Sequence, residues 1–172
     1  MHLTYQPAFD AFHTVFRMMR IREDILPPSQ LTKDHARIID FYLLFPFRIS
    51  GIRLLPRHKK YRKLSEKYQS LKPYGNMPDD RVIFRRMTPI QLSSLDTMAV
   101  KGYIDQSRYE HGILKTSEIP LNEALKSRID AINTTQSDLI EFLAALATEY
   151  HLLGADGLKA RTGLMEHAYD AT

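Results

Sequence analysis

Apolar positions recur along this chain at helical spacing, interrupted by proline, glycine and polar clusters, which predicts a mainly helical protein. Pro7 suits a first helical turn, and Phe9, Phe12, Val15, Phe16 and Met19 then fall on one face at spacings of three and four. His13, Arg17 and Arg20 lie away from that stripe, while Arg20 and Arg22 stand near the helix end, where positive charge is favourable. These arginines read as a solvated edge. Pro27-Pro28-Ser29 ends the unit, and Thr32 can cap a second helix running to about Leu44. Within it Asp40 lies three residues from Arg37. No further acid, base or metal-ligand cluster accompanies it, so a structural ion pair between these two is expected rather than a catalytic carboxylate. Pro46 breaks this helix, and Phe47, Ile49, Ile52 and Leu54 continue the apolar pattern. The whole block 37–55, RIIDFYLLFPFRISGIRLL, is the densest in core-type side chains, yet its longest apolar piece, 41–47, includes Pro46. That is far short of the roughly 18 residues of a spanning helix, so the block reads as core.

The next stretch, RLLPRHKKYRKLSEKYQSLK over 53–72, carries eight Lys/Arg and a single acid, Glu66. Tyr61, Leu64, Tyr68 and Leu71 predict an amphipathic helix with a basic outer face. After a loop at 73–78, Asp79 or Asp80 can cap a short helix through Arg86. Thr88-Pro89 then starts another to about Lys101, with Leu92, Leu95, Met98 and Ala99 inward and Gly102 as its stop. Strand candidates at 103–105 and 113–116 flank a polar turn at 106–111, and helix, tight turn, helix and ribbon is the order of a winged helix. Beyond Pro120, Asn122 caps a helix with Leu125, Ile129 and Ile132 on one side. A further helix over 137–153 carries Leu139, Leu143, Leu146, Tyr150 and Leu153 in a heptad-like rhythm widened by Ile140 and Ala147, and Gly154 stops it. Leu139, Leu143, Leu146 and Tyr150 form a candidate docking seam for a partner's coiled coil; the same seam also suits the chain's own core. The fold class is thus mainly α (α+β): a winged-helix-like core with a small two-stranded β-ribbon plus N- and C-terminal helices. It is read as one domain over 1–172, with a helical part at 1–72, the winged-helix-like part at about 79–120, helices at 121–153 and a weakly patterned tail at 155–172 to be ordered by a partner.

At 172 residues the chain can bury roughly 70% of the surface its unfolded form exposes. It has no cysteine, hence no disulfide and no thiolate metal site, and residues 1–7 lack the basic start and apolar run of a signal peptide. A cytoplasmic protein is expected. The net charge of +4 hides an asymmetry: residues 1–72 hold 14 Lys/Arg against 6 Asp/Glu, and residues 73–172 hold 10 against 14. The front half should therefore face something acidic, either nucleic acid or an acidic protein surface. The candidate contact residues are Arg57, Lys59, Lys60, Arg62, Lys63 and Lys67, interleaved with Tyr61 and Tyr68, which can stack on bases. An ordinary solvated face is an equal alternative. On the would-be recognition helix the outward positions are drawn from Gln91, Ser93, Ser94, Asp96, Thr97 and Lys101. That set is poor in base-reading side chains, and Asp96 opposes phosphate; the ribbon's Arg108 and Lys115 are offset by Asp105, Glu110 and Glu118. A protein-docking module is the better reading.

Catalytic signatures are missing from the sequence: it has no Gly-rich phosphate loop, HExxH or G-x-S-x-G, and no two of its seven histidines stand at i, i+4. Each histidine reads as surface or helix edge, and neither enzymatic activity nor a cofactor is expected. The segments YQPAFDAFHTVFRMMRI, RIIDFYLLFPFRISGIRLL and KPYGNMPDDRVIFRRMTPIQLSSL resemble the small middle component of bacterial three-component ABC-ATPase systems of the Lamassu anti-phage type, over about 5–120. The resemblance implies a non-enzymatic adaptor that bridges or restrains an SMC-like ABC ATPase and an effector, often a nuclease, with DNA contacted through the complex and no membrane. The alternative is a free-standing winged-helix DNA-binding regulator.

Overall fold

The computed structural model describes residues 6–26 and 30–166, so the break at Pro27-Pro28-Ser29 and the end of the tail, 167–172, lie outside them. It is mainly helical, with one small two-stranded antiparallel sheet. Asp10 divides the first helical stretch into α1 (Gln6–Phe9) and α2 (Ala11–Asp24), because its carboxylate accepts from the His13 backbone N–H and caps α2. Of the expected stripe, α2 fully buries only Met19. Phe12 is 88% exposed, Phe9, Val15 and Phe16 are half-buried, and the buried set is Thr14, Arg17, Met18, Met19, Arg20, Ile21 and Arg22. The three arginines are thus not a solvated edge. Each is buried because its guanidinium finds acceptors on another element. Arg17 reaches Asp40, Arg20 donates to Asn133 Oδ1 and Gln136 Oε1 (both 2.7 Å), and Arg22 donates to the carbonyls of Tyr103, Ser117 and Ile119. Burial, with the charge of Arg17, pulls Arg20 down to about 10.

Helix α3 (Lys33–Leu44) starts at Thr32, whose hydroxyl accepts from the His35 N–H. It buries Ile38, Ile39, Phe41, Tyr42 and Leu43, and the Phe41 ring meets Tyr42 and Phe84 edge-on at 5.2 and 6.0 Å, so block 37–55 is core as expected. Asp40 is fully buried and paired, but not with Arg37. Arg17 Nε lies 2.5 Å from its Oδ1, and Gln91 Nε2 donates to Oδ2 at 2.9 Å. Arg37 turns instead to Asp34 (2.8 Å) and Thr88 (2.5 Å). Pro46 opens a 3-10 helix (Pro46–Gly51). The basic segment is not one amphipathic α-helix but a 3-10 helix (Pro56–Arg62), a short α4 (Lys63–Lys67) and a 3-10 turn (Gln69–Leu71). With three residues per 3-10 turn, His58, Tyr61 and Leu64 align inward, while Leu71 is left exposed.

No tight turn separates two helices between Arg86 and Thr88: α5 (Asp80–Val100) is continuous, with Pro89 inside it. Phe84, Met87, Gln91, Leu95 and Met98 make one unbroken buried stripe against α2 and α3, and that burial carries the helix through an exposed proline. The ribbon also differs from expectation. Strand β1 (Leu31–Thr32) pairs antiparallel with β2 (Ile113–Leu114), Leu31 opposite Leu114, and the expected 103–105 partner is reduced to one bridge, Ile104 to Thr116. Asp105 caps a short helix, α6 (Gln106–Glu110), where a polar turn was expected. Asn122 caps α7 (Glu123–Thr135), followed by α8 (Ser137–Glu149), which ends before Gly154. The tail packs on the chain itself as far as Met165. Leu158, in α9 (Leu158–Thr162), and Leu164 are buried, and Arg53 and Arg161 exchange backbone and side-chain hydrogen bonds at 3.0 and 2.6 Å. Among the described residues no helix is long and apolar enough to cross a membrane.

Candidate partner-binding surface

The segment 53–72 lies along α8 and meets acids there. Arg57 Nε stands 2.9 Å from Glu149 Oε2, Lys67 pairs with Asp138, and the Tyr61 hydroxyl donates to Glu141 Oε1 at 2.6 Å. Tyr68 donates to Asp138 Oδ1 at 2.8 Å, and the Tyr61 ring sits 5.0 Å from that of Phe142. Part of the acidic surface that the front half calls for is therefore the chain's own second half. The electrostatics follow from these contacts. Burial opposes ionisation of Asp138, but hydrogen bonds from Lys67 and Tyr68 outweigh it and hold the carboxyl below its ordinary value. The hydrogen bond to Glu141, with some burial, pushes Tyr61 up to about 12. The Arg57 hydrogen bond, chiefly, lowers Glu149.

Of the six cations singled out in the sequence, Arg57 and Lys67 are thus engaged within the chain. Lys59, Lys60, Arg62 and Lys63 point to solvent with no acidic partner among the described contacts, and Lys60 Nζ lies 4.9 Å from the centre of the Tyr61 ring. These four form a compact basic patch on a segment clamped at both ends. The candidate docking seam is not available in this way. Leu139, Leu143 and Leu146 are 0% exposed and Tyr150 6%, because α3 and the 53–72 segment cover them. On α5 the proposed outward positions Gln91 and Ser94 are buried, and Asp96 accepts from the Tyr109 hydroxyl.

The sequence places every histidine at the surface or a helix edge, and His58 departs from that reading. His58 is buried, with Nδ1 2.9 Å from the Tyr150 hydroxyl and Nε2 3.2 Å from Glu149, while Tyr150 also accepts from the Leu55 N–H at 3.0 Å. It fastens the start of the basic segment to the end of α8. Only the pairing of a polar side chain with an otherwise inward 3-10 spacing signals it. A shallow cleft of about 200 Å³ opens beside Phe47, Arg48, Lys72 and Asp80, where Arg48 Nε and Asp80 Oδ1 are 3.2 Å apart. Among the described residues no group of three His, Asp or Glu side chains is placed to hold a metal ion. What the surface offers chemically is attraction for anions, on a segment fastened to α8.

No curated protein and no solved structure matches the chain. One protein family does, described as ABC-three component (ABC-3C) system Middle Component 5, and the match spans residues 3–170. It includes the region after Leu153, which the resemblance seen in the sequence left out, and that region is built into the same core through Leu158 and Leu164. The chain therefore belongs to the Middle Component 5 family of ABC-three component systems.

Proposed function

We propose that this middle component is a non-enzymatic adaptor in a cytoplasmic, Lamassu-type anti-phage complex, bridging or restraining an SMC-like ABC ATPase and its effector. The observation that carries the reading is the patch of Lys59, Lys60, Arg62 and Lys63, held on α8 by neighbours that are themselves neutralised in the chain, in a protein whose family is a component of a multi-subunit system. An exposed patch of cations is suited to an acidic head domain or to DNA held in the assembly. The test is to tag the chain in its own operon, purify at moderate salt and identify what stays bound. Stoichiometric recovery of the neighbouring ATPase is the expected result, and its loss on changing all four cations to glutamine ties the contact to this patch. Recovery of the chain alone defeats the reading.

A free-standing winged-helix regulator is the second reading. It draws support from the small ribbon in which β1, following α2, pairs with β2, with Ile104 bridged separately to Thr116. The exposed side of α5's second half, with Ser93, Asp96 and Thr97, argues against base reading. Tight binding of the isolated chain to one duplex over others would favour this second reading instead.

A further inference from the structure

Part of the apolar stripe that the sequence places on the first long helix is left uncovered in the structure. Phe12 is 88% exposed, and Phe9, Val15 and Phe16 beside it are half-buried. Phe12 and Phe16 stand four residues apart on α2, so they form a single ridge along the helix surface. A lone exposed phenylalanine is ordinary; one continuous with three half-covered apolar side chains is a patch. The ends of this ridge are marked by charge. The Arg86 guanidinium, from α5, lies 5.3 Å from the centre of the Phe9 ring, and that of Arg128, from α7, lies 5.5 Å from Phe16. Arg85, next to Arg86, is also exposed. The acids nearby are occupied: Asp10 caps α2, and Asp130 is held by Lys126 at 3.0 Å.

We propose that this ridge is the docking site for an acidic amphipathic helix of a partner protein. A ridge with i, i+4 spacing fits the groove between equivalent rows of another helix, and carboxylates at the edges of that helix would meet Arg86 and Arg128. A guanidinium over an aromatic ring keeps in-plane N–H donors for a carboxylate. The same charges argue against a second copy of this chain as the occupant. When two copies are laid along this ridge in either direction, an arginine end meets an arginine end, and like charges oppose association.

The proposal rests on the reading that the chain works inside a complex, and the experiment separates the two. The full chain is co-expressed and purified with the other components of its three-component system, as wild type, as Phe12→Ser and as Arg86→Glu/Arg128→Glu. Complex affinity, the melting temperature of each free chain and hydrogen exchange are measured. Both variants are expected to melt like the wild type and to bind at least tenfold more weakly. In the wild-type complex, protection is expected around residues 9–16 and on one acidic helical segment of a partner. Unchanged affinity in both variants overturns the proposal while leaving the adaptor reading intact, as does protection of a partner segment that is basic or not helical. A wild-type dimer that Phe12→Ser dissolves, or Phe12-dependent binding to anionic vesicles, overturns it in favour of a second copy or a lipid surface. If no complex forms at all, both the proposal and the adaptor reading fail.

Discussion

Asp40 is where α2, α3 and α5 are tied together, since Arg17 and Gln91 both donate to a carboxylate with no access to solvent. Asp40→Ala would leave the Arg17 guanidinium buried without its counter-charge, a loss of about 3–5 kcal/mol that urea denaturation would read. Little change would mean that water reaches the pair. At the outer clamp the expected behaviour is set by pH. The raised value of Tyr61 means that its contribution is complete below its ordinary 10.0 and is lost as pH rises toward about 12. Asp138 works in the opposite direction: its depressed value contributes fully above the ordinary 3.8 and fades as pH falls further. Amide protection of residues 56–71, taken relative to the intrinsic exchange rate at each pH, should therefore fall at both extremes, through loss of different contacts. The sequence shows residue roles when the partner is local. Thr32 and Asn122 cap as read, because a cap needs only the next turn of the chain. Asp40 was legible as a structural ion pair but not its partner, because Arg17 is 23 residues away and spacing along one helix finds only neighbours such as Arg37. The burial of Arg20 and Arg22 was hidden for the same reason, their acceptors lying on α7 and around 103–119.

Among the elements, α5 shows tertiary packing overriding a local stop. Pro89 cannot donate to the Arg85 carbonyl, and an interior proline costs about 3 kcal/mol against alanine in a helix. Some of that returns because proline restrains the unfolded chain by up to about 1 kcal/mol. Pro89→Ala should therefore raise stability by about 2 kcal/mol, seen as a higher denaturation midpoint; a fall would mean that a kink at this point is needed. Thr88-Pro89 is a sound helix start in isolation, and what cancels it is the stripe from Phe84 to Met98 on α2 and α3. The tail offers a second test. Leu158 is 0% exposed, so Leu158→Ala should cost about 2–5 kcal/mol in the free chain, by the same denaturation measurement. A segment ordered only by a partner would show no such cost. Its order was not legible because Leu158 and Leu164 are too sparse to set a period, and they gain their meaning from Arg53 and the end of α8. Gly157 adds to this: a Cβ there would stand 2.3 Å from the Leu153 carbonyl oxygen, so the turn into α9 admits no side chain.

For the molecule as a whole, the legible features were the helical class, the core block 37–55 and the uneven charge of the two halves, all of which are sums over many residues. The side each helix turns inward was not, and α2 shows why: three arginines were drawn in by distant acceptors, which turned Phe12 outward. The uneven charge has its own consequence. Asp138 and Glu149 pair with the basic segment, so they would compete, as tethered anions, with any polyanion that approached it. A bound duplex would meet four free cations, giving a salt dependence of log K on log salt of about −3 to −4, not the about −5 that six would give. Changing Asp138 to Asn and Glu149 to Gln should release Arg57 and Lys67, steepen that slope and tighten non-specific binding, as a titration at several salt concentrations would show. Should the chain meet nucleic acid, the acidic edge of α8 would serve as a built-in decoy that leaves only part of the basic segment's charge to be used.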